Sequence, residues 1–103
     1  MITKEMVFEA LRDVEDPELK LSIVELGLVY DVRFEIKDGM QHAEVDMTLT
    51  SPGCPAAAEI MAAAHRAALT AVESVHINLV WSPRWDPKIH ATEDARMDMG
   101  IWD

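Results

Sequence analysis

Two alternating runs joined by Asp38-Gly39 constrain this chain more than any other feature. Tyr30, Val32, Phe34 and Ile36 alternate with Asp31, Arg33 and Glu35, the period of a half-buried strand, which predicts a strand over about residues 28–36. Lys37-Asp38-Gly39-Met40 reads as a hairpin turn in which Asp-Gly supplies the positive φ angles. The return strand, over about 42–50, sets Ala43, Val45, Met47 and Leu49 on one face and Glu44, Asp46, Thr48 and Thr50 on the other. A half-buried hairpin needs something to cover its apolar face, and the rest of the chain supplies it.

Helical cover is predicted on both sides of the hairpin. Thr3 caps a first helix over about residues 4–13, with Met6, Val7, Ala10, Leu11 and Val14 as its apolar stripe. Pro17 then pushes Asp16 away from helical angles. Ser22 caps a short turn through Ile23, Val24 and Glu25, which Gly27 ends in a left-handed conformation. A second helix is predicted from about Pro55 to Val72, its nine alanines giving high propensity and close approach to a sheet. A third strand, Val75 to Trp81, turns Val75, Ile77, Leu79 and Trp81 inward. Ser82–Pro87 reads as a rigid, Pro-punctuated loop, and Thr92 caps a last helix through Met99 that Ile101 and Trp102 close. The order α-β-β-α-β-α predicts an α+β fold, a compact two-layer domain over residues 1–103. Its small three-stranded mixed sheet has helices packed mainly on one face.

Composition narrows the function. Acidic residues outnumber basic ones by 19 to 9, for a net charge of −10, so the surface repels phosphate backbones and argues against nucleic-acid binding. It suits a basic protein partner or simply solubility. No apolar run approaches the length of a membrane span, and the N-terminus lacks the pattern of a signal peptide, so a cytoplasmic, membrane-free protein is expected. The single cysteine excludes an internal disulfide framework and a cluster held by four thiolates of one chain.

That cysteine, in Thr48-Leu49-Thr50-Ser51-Pro52-Gly53-Cys54-Pro55, is the leading candidate for chemistry. With Pro55 in the first helical position, Cys54 becomes the N-cap, where free backbone N–H groups and the helix dipole lower a thiol's pKa. The alternative is a small buried hydrophobe. Thr48 and Thr50 share a strand face leading into Cys54, although threonine is also common in strands for propensity alone. Asp16 and Glu18 lie in a loop and serve either function or capping, and their position favours capping.

The four histidines show no metal spacing. His65 lies eleven residues beyond Cys54, roughly 16 Å along a helix, too far to act as its base. His42 and His76 are expected on solvated strand faces, and His90 in a mobile loop within reach of a metal. Trp81 and Trp85, interleaved with prolines, form either a binding surface or a rim of the core. No glycine-rich phosphate loop is present.

Four segments occur together in order: Asp16-Pro17-Glu18, Ile23–Tyr30, Asp46–Pro55 and Val80–Trp85. In register, they resemble the SufT/PaaD-like family of metal–sulfur cluster assembly factors over essentially the whole chain. The resemblance implies a compact α/β domain that helps mature iron–sulfur clusters or deliver them to client proteins. It implies a functional cluster at Asp16, Glu18, Thr48, Thr50 and Cys54. The PaaD branch carries extra cysteines near the C-terminus that this chain lacks, which favours the SufT type. The P-loop ATPase half of Mrp-type carriers is also absent.

The resulting expectation is a non-enzymatic accessory factor with Cys54 as a transient thiolate ligand to an iron–sulfur cluster or iron. A single thiolate leaves the ligand set incomplete, so a homodimer, a client thiolate or a small thiol completes it. Asp16, Glu18, Thr48 and Thr50 orient the thiolate, and Trp81, Trp85 and Trp102 form docking surface for clients and for carrier or scaffold proteins. The alternative is a metal-free adaptor that recruits clients to a separate carrier through its acidic surface.

Overall fold

A computed structural model describes residues 2–51, 53 and 55–101. The chain runs α1 (Lys4–Leu11), β1 (Glu15–Asp16), β2 (Leu21–Ser22), β3 (Val29–Lys37), β4 (Met40–Met47), α2 (Ala57–Ala68), β5 (Ser74–Leu79), α3 (Pro87–His90) and α4 (Glu93–Asp98). Strands β3, β4 and β5 form one sheet in that order, with β3 antiparallel and β5 parallel to the central β4. This is the expected α+β architecture with a mixed three-stranded sheet. The two-residue ladder of β1 and β2 adds a small second sheet.

Local signals account for most of the chain's punctuation. Thr3 Oγ1 accepts the Met6 N–H and starts α1. Asp38 and Gly39 both take positive φ, 51° and 79°, which is the turn geometry that keeps a two-residue hairpin in twist with its strands. Ser22 Oγ accepts the Val24 N–H, and Gly27 at φ 75° ends that turn with the Leu28 N–H on the Ile23 carbonyl.

One core joins the inner face of the sheet to two helices. Val32, Ala43, Val45 and Met47 pack against Val7 and Leu11 of α1 and Ile60, Ala64 and Ala68 of α2. The alanines of α2 permit this close approach. Burial fades toward the hairpin tip, where Ile36 is exposed, and Met6, expected in the stripe of α1, is also exposed.

Several expectations need correction. Tyr30 does not continue the inward series of β3, because the pairing shifts between Val29 and Asp31. The extra residue of this bulge sends the Tyr30 side chain elsewhere, and Val29 takes the inward place. Helix α2 begins at Ala57 with Ala56 as N-cap and no side-chain capping bond, while Pro55 lies in a turn. The N-cap position assigned to Cys54 therefore falls on Ala56, and Cys54 itself lies outside the described residues. Trp81 lies beyond the end of β5 at Leu79 and is 44% exposed rather than inward.

His42 departs most from expectation. It sits on the outer sheet face, yet it is buried. Its Nδ1 meets Ser74 Oγ at 2.7 Å across to β5, and its Nε2 bonds the Glu44 carboxylate. Glu44 also accepts Asn78 Nδ2 at 3.0 Å and meets His76 Nδ1 at 3.1 Å. Asp46 holds Arg33 on the other side. The outer face is thus a cross-strand polar ladder, and its hydrogen bonds lower the Glu44 carboxyl to about 2, with Asn78, His42 and His76 as the causes in that order. His76 is exposed, as expected.

The C-terminal segment is fastened to the turn that ends at Gly27. Thr92 N–H donates to the Glu25 carbonyl at 2.8 Å, its hydroxyl donates to the Glu25 carboxylate at 3.0 Å, and it caps α4. His90 is held in α3, with its ring against Tyr30 at 5.1 Å between centroids and its Nδ1 accepting the Asp86 N–H. It does not lie in a loose loop. Among the described residues no helix is long and apolar enough to cross a membrane.

Candidate functional site

The Asp-Pro-Glu segment is a turn built by its first residue. Asp16 is buried, its Oδ1 accepts the N–H groups of Glu18 at 2.8 Å and Leu19 at 3.2 Å, and its carbonyl accepts the Lys20 N–H at 2.7 Å. Pro17 presets the bend and Lys20 closes it at φ 57°. The Asp16 carboxylate is therefore engaged in holding the loop, as the capping expectation had it, although it caps a turn rather than a helix. What the turn presents is Glu18, exposed at the edge of a hollow of about 360 Å³ that Thr50, Trp85, Met99 and Ile101 also line.

Beyond Met47, β4 continues as a buried strap. The Thr48 N–H donates to the Leu28 carbonyl at 2.8 Å, and its hydroxyl is buried with no hydrogen-bond partner among the described residues. Thr50 is half-buried and borders a second hollow, of about 210 Å³, lined by Leu49, Ser51, Trp81, Arg84 and Trp85. The two hollows share Thr50 and Trp85.

The aromatic wall between them is fixed. The Trp85 indole N–H donates to the Leu26 carbonyl at 2.8 Å, and its ring packs against the core. Tyr30, displaced by the bulge, donates its hydroxyl to the Pro83 carbonyl at 2.9 Å, and burial raises its pKa. The loop 82–86 is thereby tied both to β3 and to the turn at Leu26.

Glu18, Thr50 and Trp85 thus meet at one hollow, with Trp81 at its neighbour and Asp16 behind the turn. Cys54 and Trp102 lie outside the described residues. Arg84 belongs to the Val80–Trp85 segment. Among the described residues it contributes the only charge to the 210 Å³ hollow. Its signal in the sequence was a cation flanked by two tryptophans in a strongly acidic chain. None of the four histidines lines either hollow, and His65 is engaged with the Val75 carbonyl at 3.1 Å. Among the described residues no group of three or more His, Cys, Asp or Glu is arranged to hold a metal ion.

Comparison with known proteins points the same way as the motifs. Residues 4–79 match the profile of a family described as "Iron-sulfur cluster assembly protein". The chain is 45% identical over 100 residues to the Bacillus subtilis "Fe-S protein maturation auxiliary factor YitW", covering 95% of this chain and 94% of that one. It is 43% identical over 90 residues to the Staphylococcus aureus "Fe-S protein maturation auxiliary factor SufT", covering 85% and 98%. A crystal structure titled "Domain of Unknown Function DUF59 from Bacillus anthracis" superposes with a TM-score of 0.84 at 34% identity, over 96% of this chain and 92% of that one.

Proposed function

This chain belongs to the iron–sulfur cluster assembly protein family, and on that premise we propose that Cys54 is a transient thiolate ligand to the cluster or iron it helps deliver. The protein is an accessory factor in iron–sulfur cluster assembly. One observation carries the finer reading. The chain's only cysteine follows Ser51 by three residues in sequence, and Thr50 and Ser51 line a hollow that Trp85 also borders. Stable clusters normally take several thiolates, so a single one favours handing on over storage.

The surrounding residues have distinct tasks in this reading. Asp16 holds the turn, Glu18 and Thr50 line the approach, and the unpartnered Thr48 hydroxyl is available to the sulfur as a hydrogen-bond donor. Trp81, Trp85 and Trp102 meet clients or a carrier. The missing ligands come from a second protomer across a two-fold axis, a client or a small thiol. The protein works in the cytoplasm as one domain and turns over no substrate of its own. The relatives named as maturation auxiliary factors support that last point.

The net charge of −10 favours a second reading, a metal-free adaptor that brings clients to a separate carrier through its acidic surface. Replacing the chromosomal copy with Cys54→Ser separates the two. Loss of client enzyme activity at unchanged protein level supports the ligand. Full client maturation assigns the function to the surface.

A further inference from the structure

The main sheet has two outer strands, β3 and β5, and only one of them is guarded. The β3 edge carries a bulge between Val29 and Asp31 and the charged side chains of Asp31, Arg33, Glu35 and Lys37, devices that discourage a further strand. The stretch Ser74–Trp81 holds no Asp, Glu, Lys, Arg or Pro, and β5 pairs with β4 without a register shift. The C-terminal segment is tied to Tyr30 of β3 and to the turn at Gly27, whereas β5 packs on β4 and α2.

The backbone of β5 has an open side. The Val80 N–H donates to the Met47 carbonyl at 2.8 Å, and the parallel register sets Met47 beside Leu79. In such a ladder alternate residues bond the neighbouring strand, so the backbones of His76, Asn78 and Val80 face β4. Those of Val75, Ile77 and Leu79 face outward. Val75 is covered, its carbonyl accepting His65 Nε2 of α2 at 3.1 Å. Among the described residues no hydrogen bond from outside the sheet reaches the backbone of Ile77 or Leu79.

We propose that β5 pairs antiparallel with β5 of a second copy of this chain, across a two-fold axis at Asn78. Ile77 then lies opposite the partner's Leu79, and each such pair exchanges both N–H···O bonds. The His65 contact selects this register, because it occupies Val75 and leaves Ile77 and Leu79 to pair. Charge selects the occupant. Copies of a chain of net charge −10 repel one another, and the uncharged β5 lets two of them approach without like charges meeting. The pairing also covers Leu79, which is 37% exposed, with the partner's Ile77. It needs neither Cys54 nor a cluster, so it and the cluster reading fail separately.

Sedimentation equilibrium of metal-free Cys54→Ala tests the pairing, and a concentration-dependent dimer is expected. Adding Leu79→Pro removes an outward N–H while sparing the Val80 bond to β4, and is expected to weaken the dimer about tenfold at little change in circular dichroism. Asn78→Cys, in the same background, sets two thiols on the axis. Opposed residues of that kind have Cα atoms about 4.5 Å apart, within disulfide reach. Diamide, which takes up the two thiol hydrogens, is expected to cross-link Asn78→Cys and not Ser74→Cys. A monomer at every concentration, a dimer indifferent to Leu79→Pro, or equal cross-linking of the two cysteine variants would overturn the pairing. A β5 dimer that reconstitutes no cluster when Cys54 is present keeps the pairing and removes the ligand reading.

Discussion

The buried carboxylate of Asp16 holds Glu18 in place: Asp16 Oδ1 accepts the Glu18 N–H at 2.8 Å and so shapes the turn from within. Asp16→Ala leaves the N–H groups of Glu18 and Leu19 without their acceptor, so it is expected to cost about 1–3 kcal/mol. Asp16→Asn keeps an acceptor oxygen and should recover most of that. Glu18→Ala, on the exposed side, should leave stability unchanged within about 0.5 kcal/mol. Urea midpoints at constant m-value check all three.

Thr48 offers a test of the proposed site that is separate from stability. Its buried hydroxyl has no partner among the described residues, so removing it relieves a desolvation cost of about 1–3 kcal/mol at most. Thr48→Val is expected to melt at or above the wild-type temperature and yet to support less client maturation in cells, whereas Thr48→Ser should support it normally. A lower melting temperature for the valine variant would show that the hydroxyl is bonded.

Gly27 is where the C-terminal segment comes closest to the core. A Cβ there would meet the His90 carbonyl oxygen at 2.0 Å, and the residue's φ of 75° already disfavours any side chain. The left-handed angle alone costs about 1–2 kcal/mol for an L-residue. Gly27→Ala is expected to exceed that, and to speed amide exchange at Ala91 and Thr92 more than in β4.

The outer-face ladder makes stability acid-sensitive. Glu44 has a folded pKa of about 2, below its ordinary value of 4.5, so its charged form is favoured by folding. That contribution is fully present above pH 4.5 and is lost as pH falls through about 2. Arg33 lowers Asp46 in the same sense. Glu44→Gln should therefore reduce the melting temperature at pH 7 and flatten its decline between pH 4.5 and 2, measured by circular dichroism.

The features legible in the sequence are those set locally. The Asp38-Gly39 turn, the caps at Thr3 and Thr92, the end at Gly27 and the inward series Ala43, Val45, Met47 and Leu49 each need only their neighbours, and each is found. His42 was misjudged because its burial depends on Ser74, 32 residues away. Tyr30 was misjudged because a bulge changes which residue faces inward without changing the alternation. The start of α2 slipped from Pro55 to Ala57, since a favoured first residue permits a helix start without compelling one. Of the candidate site, Glu18, Thr50 and Trp85 are legible from motifs, while Arg84 stands out only when the fold sets it at a hollow whose described lining has no carboxylate.

The central claim is that Cys54 holds a cluster in passing. Anaerobic reconstitution of wild type beside Cys54→Ala, with visible absorbance read and iron and sulfide counted per chain, tests it most directly. The account predicts cysteine-dependent absorbance with about half a cluster per chain, as expected for two protomers sharing one. Colourless wild type that still binds a client or carrier, or equal colour in Cys54→Ala, would contradict it.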